Sequence, residues 1–165
     1  MQDRGGTCTI LTQNVDRLHQ RAGSVDVVEL HGTIMEWRCT STGRHVALDA
    51  DPMTAFPPPS PHEAGALLRP DVVWFGEMLP PAALDRAEAV MRECDCFLSV
   101  GTSSVVHPAA GFIDIALAGG APVIEVNPGD TAASERVTHR LVAPGGVALP
   151  RLLAAAFGEP HAGGD

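Results

Sequence analysis

One stretch constrains the fold more than any other: residues 95–126, "DCFLSVGTSSVVHPAAGFIDIALAGGAPVIEV". Two short apolar runs, 95–101 and 121–126, flank "PAAGFIDIALAGG" (108–120). That middle segment opens on proline and closes on glycine, as helices do. Neither flanking run alternates polar with apolar residues. Near-continuous apolarity marks parallel strands covered on both faces. A strand, a helix and a parallel strand need a sheet with helices packed on it. The rest of the chain keeps this rhythm. "TCTILT" (7–12), "VDVVEL" (25–30) and "HRLVA" (139–143) read as strands, and "LPRLLAAAF" (149–157) as a closing helix. "PAALDRAEAVMREC" (81–94) sets Ala82, Leu84, Ala87, Val90 and Met91 at helical spacing. The expectation is one α/β domain over residues 1–165, built on a doubly wound parallel sheet.

Residues 33–70 break the rhythm with "STG", "DADP" and "FPPPSP", too many turn formers for a helix–strand unit. They read as a small lobe inserted on the main sheet. The four cysteines, Cys8, Cys39, Cys94 and Cys96, are far apart or in a C-x-C that would strain a bridge, which points to reduced thiols and a cytoplasmic protein. Eleven basic against twenty acidic residues give a net charge of −9, with no basic patch for nucleic acid. No apolar run approaches the ~20 residues of a membrane span, so neither nucleic acid nor membrane is expected as a partner.

Open α/β sheets bind ligands at the carboxyl ends of their strands. Four strand ends here carry polar groups. "LTQNVDRLHQRAG" (11–23) places Gln13, Asn14 and Asp16 just after the first strand. Amides and a carboxylate there suit recognition of an amide or a ribose; equally, Asn14 or Asp16 caps a helix running to Ala22. "VELHG" (28–32) ends a strand on His31, either a structural histidine or a base working near neutral pH. "SVGTSSVVHPAAGF" (99–112) offers a glycine turn and hydroxyls for a ribose or phosphate, and "IEVNP" (124–128) an asparagine that also suits a turn.

In this order and approximate spacing, "TQNVDRLHQRAG", "ELHG", "RPDVVWFGE", "GTSSVVHPAA" and "IEVNP" resemble the sirtuins, NAD-dependent protein-lysine deacylases, over residues 7–157. The wording of "VVWFGE" and "GTSSVV" is most similar to their bacterial and mitochondrial deacylase branch. The resemblance implies a Rossmann-like sheet and a role for each motif. Gln13, Asn14 and Asp16 would line the pocket for nicotinamide and its ribose. His31 would be the general base, taking a proton from a ribose hydroxyl after the acyl oxygen of the substrate lysine has displaced nicotinamide. Val72, Trp74, Phe75, Gly76 and Glu77 would form the edge along which an acyl-lysine protein or peptide lies as an added strand. Gly101, Thr102, Ser103 and Asn127 would contact ADP-ribose, with Val147 near the adenine. The acyl group would pass to ADP-ribose with release of nicotinamide.

Two departures qualify the resemblance. Most sirtuins hold a structural zinc with two C-x-x-C pairs; the matching positions here are Cys39, Thr42, Pro61 and Ala64. Three of four ligands are gone, and His45, His62 and Asp49 fit no familiar zinc spacing, so no zinc is expected. The family's first strand and glycine-rich phosphate loop are also not found ahead of residue 7, and no G-x-G-x-x-G occurs. The expectation is that this chain alone binds NAD poorly and turns over little. The alternatives are a catalytically dead module that binds acyl-peptide or nucleotide, or an unrelated nucleotide-using α/β enzyme.

Overall fold

In the computed structural model, residues 6–47, 55–105 and 109–158 are described. The chain divides into two units, Met1–Ala87 and Glu88–Asp165, and the boundary falls inside a helix.

The first unit opens with strand β1 (Thr9–Thr12), a short helix α1 (Leu18–Arg21) and strand β2 (Asp26–Glu29). β1 and β2 pair in parallel, Thr9 opposite Asp26 and Thr12 opposite Glu29. The apolar residues of β2 explain the strand: Val28 and the following Leu30 are buried, Leu30 at 1% exposure. β3 (Gly32–Cys39) follows after Leu30 and His31 and belongs to a different sheet, with β4 (His45–Val46) and β5 (Leu68–Val72) on its two sides in the order β4-β3-β5. Both pairings are antiparallel. The β3–β5 register shifts between Thr33 and Trp37, leaving an irregular stretch that bends the strand. Thr33, Cys39 and Leu68 are buried in this sheet. Pro70, which has no N–H to give a ladder, sits on β5, where an edge strand tolerates it.

Helix α2 (Pro81–Glu93) carries the unit boundary. Its periodic residues divide: Ala87 and Met91 are buried, Leu84 and Val90 half-buried, Ala82 exposed. In the second unit, β6 (Phe97–Val100), β7 (Val123–Val126) and β8 (His139–Leu141) form a parallel sheet in that order. A 3₁₀ turn over Ala109–Gly111 leads into α3 (Phe112–Ala118), which buries Phe112, Ile113 and Ala116 and packs on β6 and β7. Gly119 and Gly120 close it, their amides bonding to Ile115 and Leu117 carbonyls. Pro108, expected to open this helix, lies outside the described residues.

The last helix, α4 (Gly145–Phe157), begins four residues before the expected Leu149. Pro144 serves as its N-cap, and its carbonyl takes the amides of Val147 at 2.9 Å and Ala148 at 3.0 Å, so the two glycines lie in the first turn. Among the described residues, no helix is long and apolar enough to cross a membrane.

Candidate active site

Thr12 ends β1 buried, and its two oxygens organise the loop beyond the strand. Its carbonyl accepts the Leu30 amide at 3.0 Å, and its hydroxyl accepts the Asn14 amide at 3.1 Å. Gln13 and Asp16 are half-buried and Asn14 is exposed. Asp16 Oδ1 accepts the Leu18 amide at 3.0 Å across Arg17, which is the N-cap of α1 and has no side-chain cap bond, so neither Asn14 nor Asp16 occupies the cap position. Between these residues, the Val15 carbonyl accepts both the Ile34 amide at 3.0 Å and the Thr33 hydroxyl at 3.2 Å. The loop holding Gln13, Asn14 and Asp16 is thus fastened beside His31.

His31 follows the buried Leu30 and is half-buried. Its carbonyl accepts the Val73 amide at 3.0 Å, while its imidazole makes no hydrogen bond among the described residues. Gly32 is required here. It adopts φ +70, and a Cβ would lie 2.0 Å from the Asp71 carbonyl oxygen of β5. The histidine–glycine pair therefore brings His31 and the β5 edge together.

Val72 ends β5, opposite Gly32. The next residues form a tight turn, with the Glu77 amide on the Trp74 carbonyl at 3.0 Å and the Trp74 amide on Glu77 Oε2 at 3.0 Å. Arg69 stacks on the Trp74 ring, its guanidinium carbon 3.4 Å from the centroid. The same guanidinium holds both Glu77 oxygens and donates to the Val72 carbonyl at 2.6 Å. These bonds, Arg69's foremost and the Trp74 amide next, hold the Glu77 carboxyl down to about 2. Glu77 is thereby a brace for the turn, while Trp74, Phe75 and Met78 project their apolar surface outward.

In the second unit, Asn127 ties two strand ends. Its Nδ2 donates to the Thr102 carbonyl at 3.0 Å, and its Oδ1 accepts the Gly129 amide at 3.3 Å. Gly101 donates to the Val126 carbonyl at 3.0 Å. Gly101, Thr102 and Asn127 therefore meet, with Ser103 next in the loop and exposed. Val147 sits in the first turn of α4, 46% exposed. Sequence reasoning counted Ser104 among the hydroxyls of this loop without singling it out: it is buried at 6%, holds φ 56, and its hydroxyl oxygen has no hydrogen-bond partner among the described residues. Such an orphaned hydroxyl fits a ligand oxygen, so this loop suits the ribose or phosphate of a dinucleotide. Sequence reasoning passed over Glu125, buried in β7. Burial pushes this carboxyl up, but hydrogen bonds from Ser134, Thr131 and Arg140 outweigh that and lower it.

The residues at the family's zinc positions do not fit a metal. Cys39 is buried, and its sulfur lies 3.2 Å from Ser41 Oγ, whose hydroxyl donates to Glu63. Thr42 uses its hydroxyl on the Arg44 amide at 3.3 Å, and Pro61 and Ala64 offer no ligand atom. Of the substitutes weighed, Asp49 lies outside the described residues, and His62 Nε2 rests on the His45 carbonyl at 3.3 Å. His45 gathers instead with Glu36 and Asp71, its Nδ1 3.6 Å from an oxygen of each. Arg17 and Arg38 hold the other oxygens of those carboxylates, at 2.5 and 3.2 Å, which accounts for the cluster as an ion-pair network.

Comparison with known proteins gives the family and the fold. The model of the Sir2 family matches residues 1–108, well over half of the chain. The chain belongs to the Sir2 family. It is 48% identical over 155 residues to the NAD-dependent protein deacylase 1 of Pseudomonas aeruginosa, covering 90% of this chain and 62% of that one. To the NAD-dependent protein deacylase Sir2 of Mycolicibacterium smegmatis it is 45% identical over 148 residues, 87% of this chain and 61% of that one. The chain thus spans about three fifths of the length of these curated relatives. Solved Sir2 structures share its backbone. A Sir2–p53 peptide–NAD+ complex matches at TM-score 0.84 and 32% identity, covering 95% of this chain and 66% of that one. A Sir2 homolog–NAD complex matches at 0.85 and 39%, covering 93% and 60%. The Sir2 fold seen here is α/β and Rossmann-like.

Proposed function

We propose that the protein is an NAD-dependent protein-lysine deacylase, acting in the cytoplasm on acyl-lysine proteins or peptides. The observation that carries this reading is the joint at residues 31–32. His31 has an imidazole without a protein partner among the described residues, the loop of Gln13, Asn14 and Asp16 is fastened on one side of it, and the β5 edge is bonded to its carbonyl on the other.

NAD supplies an electrophilic ribose carbon once nicotinamide departs. The chain's residues account for the rest. The amides of Gln13 and Asn14 and the carboxylate of Asp16 line the nicotinamide ribose pocket. The His31 imidazole takes the proton of a ribose hydroxyl, work that needs a base of near-neutral pKa. β5 is the edge of its sheet, so a substrate peptide adds there as a further strand at Val72, beside the turn formed by Trp74, Phe75, Gly76 and Glu77. Gly101, Thr102, Ser103 and Asn127 hold the ADP-ribose part, with Val147 beside the adenine.

A panel of acyl-lysine peptides, incubated with NAD and the protein expressed from its complete gene, tests the reading by mass spectrometry. The expected products are free lysine, nicotinamide and acyl-ADP-ribose. His31→Ala should abolish turnover while sparing peptide binding, because the base acts in chemistry and not in docking. Lysine release without NAD would refute the proposal, as would near-wild-type turnover by the His31 variant. Peptide binding without turnover would leave a binding module.

A further inference from the structure

Arg17 lies between Asp16 and helix α1, and its backbone is in the left-handed region, φ 57 and ψ 22. For an arginine that conformation is costly, since the Cβ crowds the neighbouring carbonyl. Such a residue persists where its surroundings hold it in place. What holds this one is a fork of ion pairs. Nε donates to Glu29 Oε1 at 3.0 Å, and Nη2 donates to Glu29 Oε2 at 3.2 Å and Glu36 Oε1 at 2.5 Å. Gln20 adds a bond to Glu29 Oε1 at 2.9 Å. The Arg17 side chain is only 33% exposed and that of Glu29 20%, so solvent screens the pair incompletely.

The partners' positions give the clamp its meaning. Glu29 lies two residues before His31, and Glu36 lies on the strand that begins directly after it. A second fastening, from the Val15 carbonyl to Thr33 and Ile34, reaches the other side of His31. The segment between the two fastenings contains Asp16, and Gln13 and Asn14 directly precede it. The elements joined are thus the loop proposed to receive nicotinamide ribose and the strand ends that carry the base.

We infer that Arg17 is a positioning residue, which sets the distance between the Gln13–Asp16 loop and His31 through its fork onto Glu29 and Glu36. The inference rests on the deacylase reading above. A lysine cannot replace the fork, because one ammonium does not span both oxygens of Glu29 and reach Glu36 together.

Arg17→Gly is the informative variant, since glycine removes the clamp while adopting the left-handed backbone without strain. It is compared with Arg17→Lys and wild type, each expressed from the complete gene, by two readouts. Hydrogen exchange at the Ile34 amide, which bonds to Val15, reports docking of the loop without any ligand. Steady-state kinetics with an acyl-lysine peptide report KM for NAD and for peptide separately. Arg17→Gly should speed Ile34 exchange at least tenfold and raise KM for NAD about tenfold, leaving KM for peptide within twofold. Arg17→Lys should fall between. Unchanged exchange overturns the inference. So does faster exchange with unchanged KM for NAD, which would make the clamp merely structural. If wild type shows no NAD-dependent turnover, the deacylase reading fails, and positioning toward the base fails with it; the exchange result then still shows whether the clamp exists.

Discussion

Gly32 is the point at which the structure predicts the largest effect of a single added carbon. In Gly32→Ala, the residue must hold φ +70, which costs a non-glycine residue about 1–2 kcal/mol. The new Cβ would stand 2.0 Å from the Asp71 carbonyl oxygen, whereas real Cβ contacts stay beyond 3.0 Å. The obstacle is backbone and cannot rotate away, so β3 and β5 must part. Parting them strains the Val73 amide bond to the His31 carbonyl and the Gly32–Val72 pairing. Losing two such bonds costs about 1–3 kcal/mol. The sum is about 3 kcal/mol, or roughly 6–12 °C in Tm for a chain of this size. Urea unfolding followed by circular dichroism, with thermal scans, measures it. Gly23→Ala is the control: its φ is +90 but nothing lies within 4 Å of the added carbon, so it carries the backbone cost alone. If Gly32→Ala is no less stable than Gly23→Ala, the close approach of the two strands is not as described.

Two further outcomes are expected. The Glu77 carboxyl sits at about 2 rather than its usual 4.5, so the stability it lends the turn is fully present above pH 4.5 and is lost as pH falls from 4.5 through 2. In a Trp37→Phe background, Glu77→Gln should therefore shift Trp74 fluorescence at pH 7, where wild type still holds the Arg69 stack; identical spectra would refute the brace. Protein purified without added metal should contain no stoichiometric zinc, and a chelator should leave its Tm unchanged; about one zinc per chain would show that other side chains have been recruited.

The parallel strands were legible from their apolar runs, although only β7 is covered on both faces, with Val123 and Val126 at 0% exposure, while β1, β2 and β6 bury one residue each. The antiparallel sheet was not. β3 shifts register on β5 between Thr33 and Trp37 and its burial does not alternate, β5 contains Pro70, and β4 has two residues. The start of α4 was hidden because Gly145 and Gly146 read as helix breakers, though Pro144 can cap the turn that contains them. Among site residues, strand-end placement drew out Gln13, Asn14, Asp16 and His31 but left a helix cap and a structural histidine open, and their roles came from the resemblance. Arg17 could not be found that way. Its meaning lies in Glu29 and Glu36, twelve and nineteen residues away, and ion pairs over such spans leave no periodic trace. Ser104 was hidden for a related reason: its signal is a missing partner, which only coordinates reveal.

The bond from Ser41 to Glu63 has a consequence for how the cell makes this protein. It joins the two chain segments that thiolates and a metal would otherwise fasten, using groups the ribosome itself delivers. A fastening of that kind closes as soon as both segments have been synthesised, and draws on no trace-element supply. Oxidants that empty thiolate tetrads would meet one sulfur here, Cys39, shielded at 1% exposure. With no zinc held there, refolding in the presence of a chelator should return the same yield as refolding without it.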